Sequence, residues 1–251
     1  MTITEPTDTG PRRGPRIREI YRAVAADHFA EGAAPRHAAL LFSDDSFASE
    51  EEFLGDFSNE ILHQDTCGEF THEGVPLLAA LAIDDRVPIP QRMSLVSLLF
   101  SIATVADRHE AGCRPRPRSC PAPAAESRAR ASVQEVVPRL LERWEAESAG
   151  VRLALTAIAA AFPATEAARA LLPGLRALAL RYPGRTLPGD YVRLAGTMIV
   201  GERENVLGAV EALTSAHWSP TARSAPLTGR SLHLLDQMLN SIRASTRTRR
   251  P

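Results

Sequence analysis

Seven residues able to act as acid, base or ligand fall within eleven positions: His63, Gln64, Asp65, Cys67, Glu69, His72 and Glu73. Imidazoles and carboxylates at this density can pass protons to and from a bound molecule. His63, Asp65, Glu69 and His72 are therefore the candidate catalytic groups, with Gln64 and Glu73 as candidate binding groups. The same stretch also reads as plain structure. Thr66-Cys67-Gly68-Glu69 fits a capping box, in which Thr66 accepts from the Glu69 amide and Glu69 reaches back to the Thr66 amide. His63 would then close the end of the preceding helix.

Metal binding is a narrower form of the chemical reading. His63-x3-Cys67-x4-His72 offers three ligands, and His109-x3-Cys113-x6-Cys120 offers three more. Neither matches the compact spacings of zinc sites, so no metal and no cofactor is expected. There is no Gly-x-Ser-x-Gly element and no glycine-rich phosphate loop, and Ser231 beside His233 reads as a helix surface. Two further candidate binding residues, Arg152 and Arg193, recur at matching points of two similar segments.

These groups must be positioned by helices, because strand signals are nearly absent and apolar residues recur at helical spacing. An opening helix is expected from about Arg16 to Glu31, with Ile17, Ile20, Tyr21, Val24 and Phe29 forming one stripe. A second begins near Ser49, a serine cap followed by Glu50, Glu51 and Glu52, and turns Phe53, Leu54, Phe57, Ile61 and Leu62 to a core. Next come three proline-marked segments: Val75-Pro76-Leu77-Leu78, Val137-Pro138-Arg139-Leu140 and Leu172-Pro173-Gly174-Leu175. Each precedes a second amphipathic segment. Two of those, starting Val151-Arg152-Leu153 and Val192-Arg193-Leu194, align closely, and Met93 to Val105 is a looser relative. Proline three times at the same place in a helix pair is a repeat. An arginine- and proline-rich insertion, Ala111 to Ala131, carries Arg114, Arg116 and Arg118 and is expected as an exposed loop. A last helix pair is expected at Glu202 to Ser215 and Arg230 to Ala244.

The aliphatic-Pro-x-Leu helices with Val-Arg-Leu partners resemble HEAT repeats from about Phe53 to Ala216. Ile61-Leu62-His63-Gln64-Asp65-Thr66, running on to the first proline helix, is similar to a His-Gln-Gly-Thr element in a group of actinobacterial HEAT-repeat proteins, with Asp65 in place of the glycine. The resemblance implies an all-α fold, a right-handed, armadillo-like α-solenoid of antiparallel helix pairs, and a cytoplasmic bacterial protein. It implies no substrate.

Composition agrees with one domain over residues 16–244, after a disordered lead-in (1–15) and before a frayed basic tail (245–251). The net charge of −1 comes from 30 acids against 29 bases, all of them arginine, and steers the chain toward neither nucleic acid nor membrane. Three cysteines are too few for a disulfide framework, which suits a reducing compartment. The leading expectation is a non-catalytic scaffold that receives a protein or peptide in a concave groove lined by the second helices. The second is an enzyme or small-molecule binder of bacterial specialised metabolism that uses the cluster at 63–73. The third, a DNA-binding solenoid, is disfavoured by the acids of the first half and by the absence of a stacking pattern around Trp144 and Trp218.

Overall fold

A computed structural model describes residues 16–29, 36–43, 47–112, 123–216 and 218–247. The described residues are all-α apart from one short hairpin. Its elements are α1 (Ile17–His28), α2 (Ala39–Phe42), α3 (Glu50–Ile61), β1 (Leu62–His63), β2 (Thr66–Cys67), α4 (Thr71–Ile83), α5 (Ile89–Ala111), α6 (Pro123–Glu142), α7 (Ala149–Ala161), α8 (Glu166–Ala170), α9 (Leu172–Arg181), α10 (Leu187–Val200), α11 (Arg203–Ala216) and α12 (Leu227–Arg247).

The opening helices form as their sequence dictates. Ile17, Tyr21 and Val24 are buried along α1, and the Tyr21 ring stands edge-on to Phe53 and Phe57 of α3. Ser49 caps α3 by accepting from the Glu52 amide at 3.1 Å, and the Glu52 carboxylate accepts from the Ala48 amide at 2.6 Å. Glu50 accepts from the Ile17 amide at 3.0 Å, tying the start of α3 to the start of α1.

After the hairpin the helices pack in pairs. α4 lies against α5, α6 against α7, and α9 against α10. The first helices α4 and α6 contact one another, and α6 goes on to contact α8, the short helix just before α9; the second members contact in series, α5 with α7 and α7 with α10. Two of the three prolines lie inside helices, Pro76 in α4 and Pro138 in α6. The third does not. The chain breaks after α8, and Pro173 takes the first turn of α9, where its missing N–H removes no helical bond.

Pro76 shows what the repeated proline does to stacking. Lacking an N–H, it leaves the His72 carbonyl four residues back without its helical donor. Ser132 of α6 supplies one, its hydroxyl donating to that oxygen at 3.1 Å. The defect in one first helix thus becomes a contact with the next. Ser132→Ala should lower stability by about 1 kcal/mol, read as a lower urea midpoint with an unchanged slope. An unchanged midpoint would show that water satisfies the carbonyl instead.

Three expectations need correction. The insertion is shorter than Ala111 to Ala131. Ala111 ends α5, and residues 123–131 form the start of α6, with Ala125, Glu126 and Ala129 buried. Arg114, Arg116, Arg118, Cys113 and Cys120 lie outside the described residues. The reason is Arg130, which was assigned to the loop. Its guanidinium donates to the carbonyls of Ala103 in α5 (2.6 Å) and Ala161 at the end of α7 (2.9 Å), and lies over the Phe162 ring at 4.8 Å. Ala161 carries one of the carbonyls that a helix C-terminus leaves without a partner, so a cation there is favoured twice over.

The second correction concerns Thr66, which starts no helix. It lies in β2, its hydroxyl donates to the His63 carbonyl at 2.6 Å, and α4 begins at Thr71. Thr71 closes that start: its hydroxyl accepts from the Gly68 amide and donates to the Ile61 carbonyl, both at 2.8 Å.

The third concerns the face lined by the second helices, expected as an open groove. α12 packs on α5, α7 and α10 together. Leu232, Leu234, Leu235, Met238, Leu239 and Ile242 are buried there. Among the described residues one helix, α5, is long and apolar enough to cross a membrane, and its apolar side chains Leu95, Leu99, Phe100 and Ile102 are buried in the core.

Candidate functional site

The hairpin that carries the polar cluster is a tight turn built without glycine. Leu62 pairs with Cys67 and His63 with Thr66, leaving Gln64 and Asp65 as its two central residues. Their φ angles are 47° and 59°, the positive values a type I′ turn needs. An L-residue in this region is strained by about 1–2 kcal/mol, and Asp tolerates it better than most. Asp65 therefore keeps the conformation a glycine would adopt freely, and it uses its side chain to hold it.

That side chain meets Arg108 of α5 in a two-pronged ion pair, Nη1 to Oδ2 at 2.9 Å and Nη2 to Oδ1 at 2.5 Å. Arg108 is only 6% exposed, and its other donors are taken as well. Nε donates to the Thr104 hydroxyl at 3.1 Å, Nη2 also to the Ser101 carbonyl at 3.1 Å, and Nη1 lies 3.4 Å from Oδ2 of Asp236 in α12. His109 Nε2 lies 3.3 Å from Asp65 Oδ2. On α12, Asp236 also accepts from Asn240 at 3.2 Å and from the Ser101 hydroxyl at 3.5 Å, and the His233 ring is 2.5 Å from the Gln237 amide. One buried cation thus joins the hairpin, α5 and α12.

The electrostatics follow from burial. Loss of water raises the Asp236 carboxyl above its ordinary range, and the Arg108 charge pulls the other way. Burial works against the Arg108 charge, but Asp236 and Asp65 more than offset it, so its pKa lies above the usual value. The His233 imidazole is pushed down chiefly by burial, against the pull of Asp236.

Of the four candidate catalytic residues, the fold brings only Asp65 into this network. His63 and Glu69 are exposed, and neither side chain makes a hydrogen bond or ion pair among the described residues. His72 is half-buried, its Nδ1 lying 3.1 Å from the Glu69 carbonyl. Gln64 is exposed and Glu73 half-buried, also without side-chain partners among the described residues. Cys67 turns inward, its Sγ 3.8 Å from the Ile102 carbonyl in α5. Among the described residues no three His, Cys, Asp or Glu side chains are placed to hold a metal ion. Arg152 donates to the Glu145 carbonyl at 2.6 Å, and Arg193 pairs with Asp190 one turn away at 2.7 Å. The matching arginines therefore make different local bonds.

The sequence reading names neither Arg108 nor Asp236, and takes His109 only as a metal ligand and His233 only as part of a helix surface. A signal for two of them is present in the sequence. Arg108 lies four residues after Thr104, one turn beyond the apolar run Leu95 to Val105, and Asp236 falls among Leu232, Leu235 and Leu239 on one helical stripe. A charge on a buried stripe requires a partner. No protein-family model, curated protein or solved structure matches the chain.

Proposed function

We propose that the chain is a right-handed α-solenoid of HEAT-like helix pairs that serves as a non-catalytic binding protein for a protein or peptide partner. Support for the solenoid comes from the contact of first helix α4 with first helix α6 and the serial contacts of second helix with second. With α12 laid over α5, α7 and α10, the reading moves the partner from the second-helix face to the hairpin. The observation that carries it is the turn at Gln64 and Asp65. Two left-handed non-glycine residues form the turn, the second of them, Asp65, is gripped by a buried arginine, and His63 and Gln64 stand exposed at the tip. Strain maintained at such expense is characteristic of functional surface, and a rigid polar tip loses little entropy on binding. Phe70 and Glu69, both exposed, extend the surface toward α4. The enzyme reading gains nothing from this geometry, since Asp65 is spent on Arg108, His72 meets a backbone carbonyl, and no hydrogen bond joins the side chains of any two of its proposed acids and bases among the described residues.

The test is the double substitution His63→Ala, Gln64→Ala in the full chain. Both side chains are exposed, so the melting midpoint should stay where it is. Partners retained by the wild-type chain from bacterial extract, quantified by mass spectrometry, should fall about tenfold or more on the variant, as for loss of central contacts at an interface. Equal retention by the two chains would remove the hairpin from the binding surface.

A further inference from the structure

A small pocket lies between α9 and the start of α7, away from the hairpin. Its walls are Trp144, Glu145, Arg152, Gly174, Leu178 and Arg181, with a volume of about 120 Å³. Trp144 is 2% exposed, and its indole N–H has no hydrogen-bond partner among the described residues. The ring is buried while its N–H edge opens on the pocket, so that donor is offered to whatever fills the space. Gly174 is what leaves that donor open: a Cβ there would stand 2.9 Å from Nε1. Two cations flank it. Arg152 spends Nη2 on the Glu145 carbonyl and keeps Nε buried without a partner. Arg181, exposed at the end of α9, makes no ion pair among the described residues. The one acid, Glu145, is 83% exposed, with one oxygen 3.8 Å from Arg152 and the other 3.6 Å from where a Gly174 Cβ would stand, so two cations face a single carboxylate in this wall.

We propose that this pocket binds a compact oxyanion of phosphate size, with one oxygen accepting from the Trp144 indole N–H and the charge shared between Arg152 and Arg181. The volume admits a phosphoryl group and little more, which fits either free phosphate or the terminal group of a phosphomonoester. Planar forked guanidinium groups suit such oxygens better than a halide. The feature extends beyond the hairpin and depends on none of its residues.

The indole N–H is its own reporter. The full chain has two tryptophans, so the ¹⁵N–¹H spectrum carries two indole signals, and Trp218→Phe identifies that of Trp144. Sodium phosphate titrated against sodium chloride at matched ionic strength should move the Trp144 signal saturably. Arg181→Gln should weaken the midpoint about tenfold or more. Gly174→Ala, with both arginines intact, should abolish the response by covering the indole edge. Phenyl phosphate distinguishes the sources: a tighter midpoint than phosphate assigns an ester end, a weaker one the free ion. An unmoved Trp144 signal, an equal shift by chloride, or the same midpoint in Arg181→Gln would each overturn the site.

Discussion

Arg108→Met should lower the unfolding free energy by about 3–5 kcal/mol, a large share of the stability of an ordinary domain. The size follows from what the substitution strands. Methionine fills a similar volume, so packing against Thr104 and the hairpin changes little. Asp236, already starved of water, loses the charge that makes its ionised form tolerable, and Asp65 loses the fork that holds its left-handed conformation. The pH dependence separates this cause from a packing defect. Because burial raises the native pKa of Asp236 above the ordinary 3.8, the folded chain keeps that proton to higher pH than the unfolded chain does. The stability gained from it is fully present below the ordinary value and is lost as pH rises through the native one. Removing Arg108 raises that native value further, so the deficit of the variant should widen from about pH 4.5 to about pH 7. His233 faces Asp236 and has the opposite sign: its native pKa is lowered, so its contribution falls as the solution is acidified below its ordinary value. Urea midpoints of wild type, Arg108→Met and Arg108→Met with His233→Gln at both pH values isolate the Asp236 effect. A deficit of the same size at both would mean that the carboxylate is not what the substitution exposes.

Ending the chain at Pro226, before α12, should abolish cooperative folding. Six large apolar side chains of α12 are buried against its neighbours. At about 1.5–3 kcal/mol apiece, their burial is worth on the order of 10 kcal/mol, as much as the net stability of a typical domain. The truncated chain would in addition expose the apolar faces of α5, α7 and α10 that α12 covers. A terminal cap of an open helical stack behaves differently, since losing it subtracts one interface and leaves the remainder folded. The truncated chain should therefore show a broad, shallow urea transition and bind a hydrophobic dye. A sharp transition with most of the helical circular dichroism retained would make α12 an appendage, and the second-helix face a groove that can be opened. A single core change, Leu235→Ala, should cost about 2–5 kcal/mol if α12 belongs to the core.

Much of the helical content was legible from the residues themselves. Serine at 49 before three glutamates, apolar spacing in α1 and α3, and proline at repeated points of the first helices are local signals, and local geometry obeyed them. Where proline fell in the third pair, the same local rule gave a different result, because a first turn accepts proline that a helix interior only endures. Arg130 escaped notice for the opposite reason. Nothing beside it in sequence indicates a partner, since the carbonyls it binds belong to residues 27 positions before it and 31 after.

The candidate site divides along the same line. By itself the sequence determined that polar residues gather at 63–73 and that helices would surround them. Only the tertiary structure decided that His63, Glu69 and His72 would not converge, that Asp65 would be paired through a buried arginine to Asp236, and that the chain's own last helix would cover the second-helix face. The physical reason is range. Backbone preference and apolar period act over a turn or two of helix and are written into neighbouring residues. The pairing of a buried charge acts across contacts such as Arg108 with Asp65, 43 residues apart, and is settled only when the chain has packed.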